Sequence, residues 1–128
     1  MSGKFESIFK NMESKVKGIR SLNLNTSDGL PLFSHYSDEF NLDEGKVSAV
    51  TSSLTALSHA AAKQLIAAQF ESTCIETNNG IMYMVKTKYQ GKSCVLSLIT
   101  GSNPNLGQVR FYIRKLAIYL ETASLSAE

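Results

Sequence analysis

Between Asp43 and Gln69 the sequence reads DEGKVSAVTSSLTALSHAAAKQLIAAQ, and the fold turns on that stretch. It holds no proline, its one glycine falls in the opening turn, and good helix formers recur throughout, so it predicts a long helix. Asp43 is placed to cap it, with Glu44 in the electropositive first turn. Val47, Val50, Leu54, Leu57, Ala61, Leu65 and Ala68 follow one another at steps of three and four and share a face. That large apolar row is expected to pack on a sheet. A second row of small side chains, Ala49, Ser53, Ala56, Ala60 and Ala67, lies about 100° around the helix. Small side chains admit a second backbone, so the helix calls for two neighbours.

Working outward, Phe5, Ile8, Phe9, Met12 and Val16 predict a first helix over Lys4–Val16, ended by Gly18. Ile19–Asn25 alternates as a strand, Asp28-Gly29 marks a hairpin, and Leu30–His35 returns, with Pro31 suited to a sheet edge. After the long helix come strands at Phe70–Asn78, Ile81–Thr87 and Ser93–Ile99. Asn79-Gly80 signals a tight hairpin between the first two, and a loop surrounds Tyr89-Gln90-Gly91. IMYMV and CVLSLI are apolar on both alternating faces, as strands covered on both sides should be. Pro104 precedes a last helix, Leu106–Glu121, whose buried face is Val109, Ile113, Leu116 and Leu120. The final Ser/Ala residues are expected to fray.

The order α-β-β-α-β-β-β-α gives a three-layer α/β/α (α+β) architecture. A five-stranded, mainly antiparallel sheet carries the long central helix on one face and the two terminal helices on the other. At 128 residues this is one domain over 1–128, with its core at about 12–121. The Phe70–Asn78 strand is expected at the edge opposite Pro31, guarded only by Glu71 and Glu76. Edges so lightly guarded are usually paired. With the small row, this predicts a two-fold dimer through Ala49, Ser53, Ala56, Ala60 and Ala67 of the helix and Thr73 and Ile75 of the strand.

Charge and motifs bound the chemistry. The formal net charge of +2, with both signs interspersed, gives no nucleic-acid footprint. No apolar run is long enough for a signal peptide or membrane span, and the expected setting is cytoplasmic. No phosphate-binding loop of the Gly-x-x-x-x-Gly-Lys-Ser/Thr kind occurs, and no cofactor or metal is expected. Gly101–Gly107 could cradle an anion before its helix, but a turn capped by Asn103 explains it better. His35 and His59 lack ligand partners, and Cys74 and Cys94 read as inert core thiols in strands. Arg110, Arg114 and Lys115 read as a basic outer face, and Met12, Met82 and Met84 as core filling. For a partner surface the sequence offers the polar row Lys46, Ser48, Ser52, Thr55, His59 and Lys63, expected to point away from the sheet. A dimer would set two such rows side by side as a broad, shallow platform for a protein.

Four signatures carry a family likeness: Asp28-Gly29-Leu30-Pro31-Leu32, the Ala/Ser/Leu-rich helix ending in Ala67-Ala68, Asn79-Gly80-Ile81-Met82-Tyr83, and Asn105-Leu106-Gly107-Gln108-Val109-Arg110. In that order and spacing, over roughly Met12 to Glu121, the sequence resembles the roadblock/dynein light-chain domain, closest to its single-domain prokaryotic members. Its first strand is less hydrophobic than the family's usual one. The resemblance implies a homodimer, or a dimer with a sister roadblock subunit, with a continuous sheet and paired central helices. It also implies a non-catalytic regulator that binds a Ras-like small GTPase and modulates its nucleotide cycle. In a bacterial motility member, the dimer stimulates GTP hydrolysis by reshaping the GTPase's own site. An adaptor subunit that scaffolds a complex without touching nucleotide turnover is the alternative, and a small-molecule sensor is a third.

Overall fold

The computed structural model describes residues 2–37 and 42–122. The connection at 38–41 and the terminal Ser/Ala residues lie outside them. Three helices and five strands follow in the expected order: α1 (Ser2–Lys15), β1 (Ile19–Thr26), β2 (Pro31–Tyr36), α2 (Glu44–Ala61), β3 (Ser72–Thr77), β4 (Gly80–Tyr89), β5 (Lys92–Thr100) and α3 (Leu106–Thr122). The strands lie in the order β2-β1-β5-β4-β3, every neighbouring pair antiparallel. Pro31 therefore sits on one edge strand and β3 forms the other, as the sequence predicts.

Most of the apolar burial lies on one side of the sheet. Phe5, Phe9 and Met12 of α1 and Val16 just after it, with Val109, Ile113, Leu116 and Leu120 of α3, close over Leu22, Leu24, Tyr83, Val85, Leu96 and Leu98. These are the faces that the helical spacing picks out, joined by Ala117. Ring contacts extend the layer to β2, with Phe5 stacked on Phe33 at 4.9 Å and Phe9 tilted against His35 at 4.3 Å.

The other side carries α2, and here the structure departs from the expectation. Asp43 caps the helix as predicted, its Oδ1 accepting from the amides of Gly45 at 2.8 Å and Lys46 at 3.3 Å. The residues α2 buries, however, are Val47, Ser48, Thr51 and Thr55. Of the large apolar row only Val47 is buried, and Val50 and Leu57 are exposed. The reason is the surface underneath. Leu22 and Leu24 face the terminal helices, so Asn23 and Asn25 alternate to the α2 side, where both are buried. Buried amides need partners, and Thr51 Oγ1 reaches Asn25 Oδ1 at 3.0 Å. Ser48 and Thr51 also return hydrogen bonds to the carbonyls of Glu44 and Val47, which makes their burial cheap. Polar strand residues thus select the polar row of the helix.

The helix also ends differently. After Ala61 it widens into a π-helical turn over Ala62–Ile66, and Ala67 closes it in the left-handed region at φ 57°. The hairpin at Asn79-Gly80 is shifted by one residue. Thr77 pairs with Gly80, so Asn78 and Asn79 form the turn, and Gly80, at φ 140°, opens β4. Gln90 and Gly91, both at positive φ, make the two-residue loop between β4 and β5. Asn105, not Asn103, caps α3, accepting from the Gln108 amide at 3.1 Å.

Two stability measurements follow from this packing. A Cβ on residue 80 would lie 2.2 Å from the Thr100 carbonyl oxygen, a backbone atom that cannot swing aside. Gly80→Ala is expected to cost about 2–3 kcal/mol in denaturant unfolding. Thr55 Oγ1 and Ser97 Oγ are buried without a hydrogen-bond partner. Thr55→Val, which keeps the shape and removes the hydroxyl, is expected to stabilise by about 1 kcal/mol. A loss of stability would show that this hydroxyl is satisfied.

Candidate functional site

Because α2 turns Ser48, Thr51 and Thr55 inward, most of both apolar rows faces out. Ala49, Ser53 and Ala56 are exposed and Ala60 is half-buried. Beside them stand Leu57, 68% exposed, and at the π-helical end Leu65 and Ile66, 82% and 72% exposed. Val50 extends the strip towards the helix start. These apolar residues follow one another along α2 and its π-helical end with small residues between them, and the large side chains stand open among the described residues. Such patches mark sites that meet other molecules. The spacing assigns Val50, Leu57 and Leu65 to the sheet, so the sequence reading misses them as surface residues. The signal is present in the matching polar rows Ser48-Thr51-Thr55 and Asn23-Asn25.

The predicted partner row is accordingly split. Ser48 and Thr55 are buried beneath α2 and cannot meet a partner from there. Ser52 is held to the first hairpin by a hydrogen bond from its hydroxyl to the Ser27 carbonyl. His59 is half-buried, with Nδ1 enclosed and unpartnered. Only Lys46 and Lys63 of that row are exposed, one towards each end of the helix.

The apolar strip runs towards the free edge of the sheet. Thr73 of β3 donates to Ser58 Oγ of α2 at 2.7 Å, which ties the end of the helix to the strand. Thr73 and Ile75 pair with Met84 and Met82 and lie on the α2 side, both half-buried. Among the described residues no further strand continues the ladder beyond β3. Glu71, one of the two charges that could guard this edge, is engaged by Arg114, its Oε1 3.3 Å from Nη1. Arg114 also donates to Ser72 Oγ at 3.4 Å, and the Tyr83 hydroxyl, followed by Glu71, holds its guanidinium still more firmly charged than usual. So Arg114 braces the start of β3, whereas Arg110 is exposed.

Among the described residues no three of His, Cys, Asp or Glu come close enough to hold a metal, and no helix is long and apolar enough to cross a membrane. Cys94 is buried, but Cys74, read from the sequence as a core thiol, is exposed on the edge strand. Both thiols have raised pKa values, through burial first, and through the nearby Glu76 carboxylate for Cys74. A raised pKa leaves less thiolate at neutral pH. Cys74 is therefore expected to react with a disulfide reagent more slowly than free cysteine at pH 8 and to accelerate as pH passes 9. Cys94 should react only on unfolding.

The geometry can be set beside known proteins. Among solved structures, MglB of Myxococcus xanthus superposes with a TM-score of 0.76 at 20% identity, over 92% of each chain. The gliding protein MglB of Thermus thermophilus gives 0.78 at 16% identity, covering 94% of this chain and 87% of that one. An MglB described as having a tetrameric arrangement gives 0.79 at 17%, with the same coverage. No curated protein matches the chain by sequence. The sequence profile of the Roadblock/LC7 domain matches residues 5–96, nearly three quarters of the chain, and with the order of strands and helices this establishes that the protein belongs to the Roadblock/LC7 domain family.

Proposed function

We propose that this chain acts as a two-fold dimer that binds a Ras-like small GTPase in the cytoplasm and modulates its nucleotide cycle without catalytic residues of its own. The observation that carries the reading is the outward apolar strip of α2 beside the unpaired edge of β3. A second copy related by a two-fold axis would cover both at once, helix against helix and strand against strand. Ala49, Ser53, Ala56 and Ala60 let the helices approach, Leu57 and Val50 supply apolar area, and Ala67, Thr73 and Ile75 lie at the seam. The family resemblance supplies the GTPase, since roadblock dimers of the prokaryotic type bind such partners.

The partner surface is proposed on the rim of the paired helices, where Lys46, Lys63, Ser52 and His59 remain within reach. Ser48 and Thr55 drop out of it. In keeping with the resemblance, the effect on the GTPase is one of reshaping its own catalytic elements.

Leu57→Glu, which places a charge in the middle of the strip, is expected to convert the dimer to monomer by light scattering. Ile75→Lys should do the same from the strand edge. Ile75 is a cleaner probe than Thr73, whose hydroxyl also holds Ser58. A dimer that survives both substitutions places the interface elsewhere. For the function, single-turnover GTP hydrolysis and nucleotide exchange by a cognate Ras-like GTPase are measured with and without the wild-type chain. A change in either rate, lost in Leu57→Glu, is the expected result. Binding with no change in either rate makes the chain an adaptor, and no binding in either nucleotide state removes the GTPase from the account.

A further inference from the structure

On the side of the sheet away from α2, the helices α1 and α3 lie next to each other without packing closely together. A groove of about 240 Å³ runs between them. Met12 of α1 and Leu116 of α3, both buried, form its floor, and Ile8, Tyr112 and Tyr119 complete the apolar lining. Each helix lends it residues at i, i+3, i+4 and i+7, so the apolar floor is linear and follows the helix axes. Lys15 and Lys115 stand exposed at its rim, and among the described residues no carboxylate lines it.

The two ammonium groups are held in place without being neutralised. Lys15 Nζ lies 5.6 Å from the centroid of Tyr112, and Lys115 Nζ lies 5.8 Å from that of Phe111. Contacts of this kind at exposed positions are weak, and they leave the charge free to meet an anion. Among the described residues neither lysine forms an ion pair. An apolar trough between two helices, with cations at its border, is the complement of an amphipathic helix whose apolar row is flanked by Asp or Glu. A flat bilayer would touch the ridges and not the floor. A second copy of this chain is also a poor match. Its exposed apolar helix faces are on α2, bordered by Lys46 and Lys63, and on α3, where Phe111 and Ile118 flank Lys115 itself, so either would meet Lys15 and Lys115 with like charge.

We propose that the groove between α1 and α3 docks an acidic amphipathic helix of another protein. The sheet separates this groove from the α2 surface, so it stays open whether or not α2 is covered, and the inference stands apart from the GTPase reading.

The probe is a synthetic fluorescent helix of about five turns. Leucines form its apolar row and glutamates flank them, and a control peptide carries lysine in place of each glutamate. Against the full chain, anisotropy is expected to show binding of the acidic peptide only, weakening as salt rises. The Lys15→Glu/Lys115→Glu double variant changes only exposed positions and should melt like wild type. It is expected to lose about tenfold in affinity for the acidic peptide and to gain binding of the lysine peptide. Leu57→Glu should leave the affinity unchanged. The proposal is overturned if the acidic peptide fails to bind, or if it binds the double variant equally well. Loss of peptide binding in Leu57→Glu would overturn it too. Vesicles of phosphatidylcholine and phosphatidylserine that bind through these lysines while the peptide does not would assign the groove to membranes. Self-association that depends on Lys15 and Lys115 would assign it to a second copy.

Discussion

The hydrogen bond between Thr51 of α2 and Asn25 of β1 sets the orientation on which the outer surface depends. A helix laid on a sheet can turn about its axis, and the side it buries is the one that best answers the residues beneath. Here β1 presents Asn23 and Asn25 upward and β5 presents Ser97, so an apolar helix face would strand buried polar atoms at about 1–3 kcal/mol each. The Ser/Thr row answers part of that demand. What it displaces, the Val50–Leu57–Leu65 row, is left facing out. An apolar surface on the outside is thus produced by a polar interlayer on the inside.

The two faces of the sheet consequently divide the labour. The α1/α3 side holds the large core, with Phe5, Phe9, Leu96, Leu98, Ile113 and Leu120 fully or almost fully buried. Nearly all the hydrophobic contribution to folding originates there. The α2 side holds Val47, Met84 and Val95 and a set of polar groups, some of them unpaired. That arrangement is the weaker of the two in an isolated chain. Covering the outer face of α2 with a second protein would clamp the helix onto its polar bed, so the proposed association would have a structural as well as a binding role.

Local signals make most of the architecture legible. The apolar spacing of Phe5-Phe9-Met12-Val16 and Val109-Ile113-Leu116-Leu120 picks out the buried faces of α1 and α3, because those faces meet an apolar sheet surface and nothing competes with them. Pro31 and the long swing into β3 place both edges. The face of α2 is not legible from its own periodicity, since two rows compete and the choice lies with Asn23 and Asn25, more than twenty residues away in sequence. The same dependence on distant partners splits the partner row. Ser48 and Thr55 look like solvent positions until the strand below them is known. At the Asn79-Gly80 hairpin the dipeptide locates the turn, but pairing of Thr77 with Gly80 fixes its phase. Cys74 looks buried because it alternates with Thr73 and Ile75, yet at an edge strand even the inward side can be open.

A sheet with both faces in use also constrains what kind of protein this can be. Three surfaces of the described residues are open: a strip on α2, an edge at β3 and a trough between α1 and α3. Each follows a helix or a strand. The strip and the edge are apolar or backbone-lined and two-fold compatible, so they suit a copy of the chain. The trough carries two lysines and, among the described residues, no acid, so it suits something else. Since five strands lie between them, neither surface needs the other to be empty, and a chain of 128 residues has room to meet two kinds of partner at once.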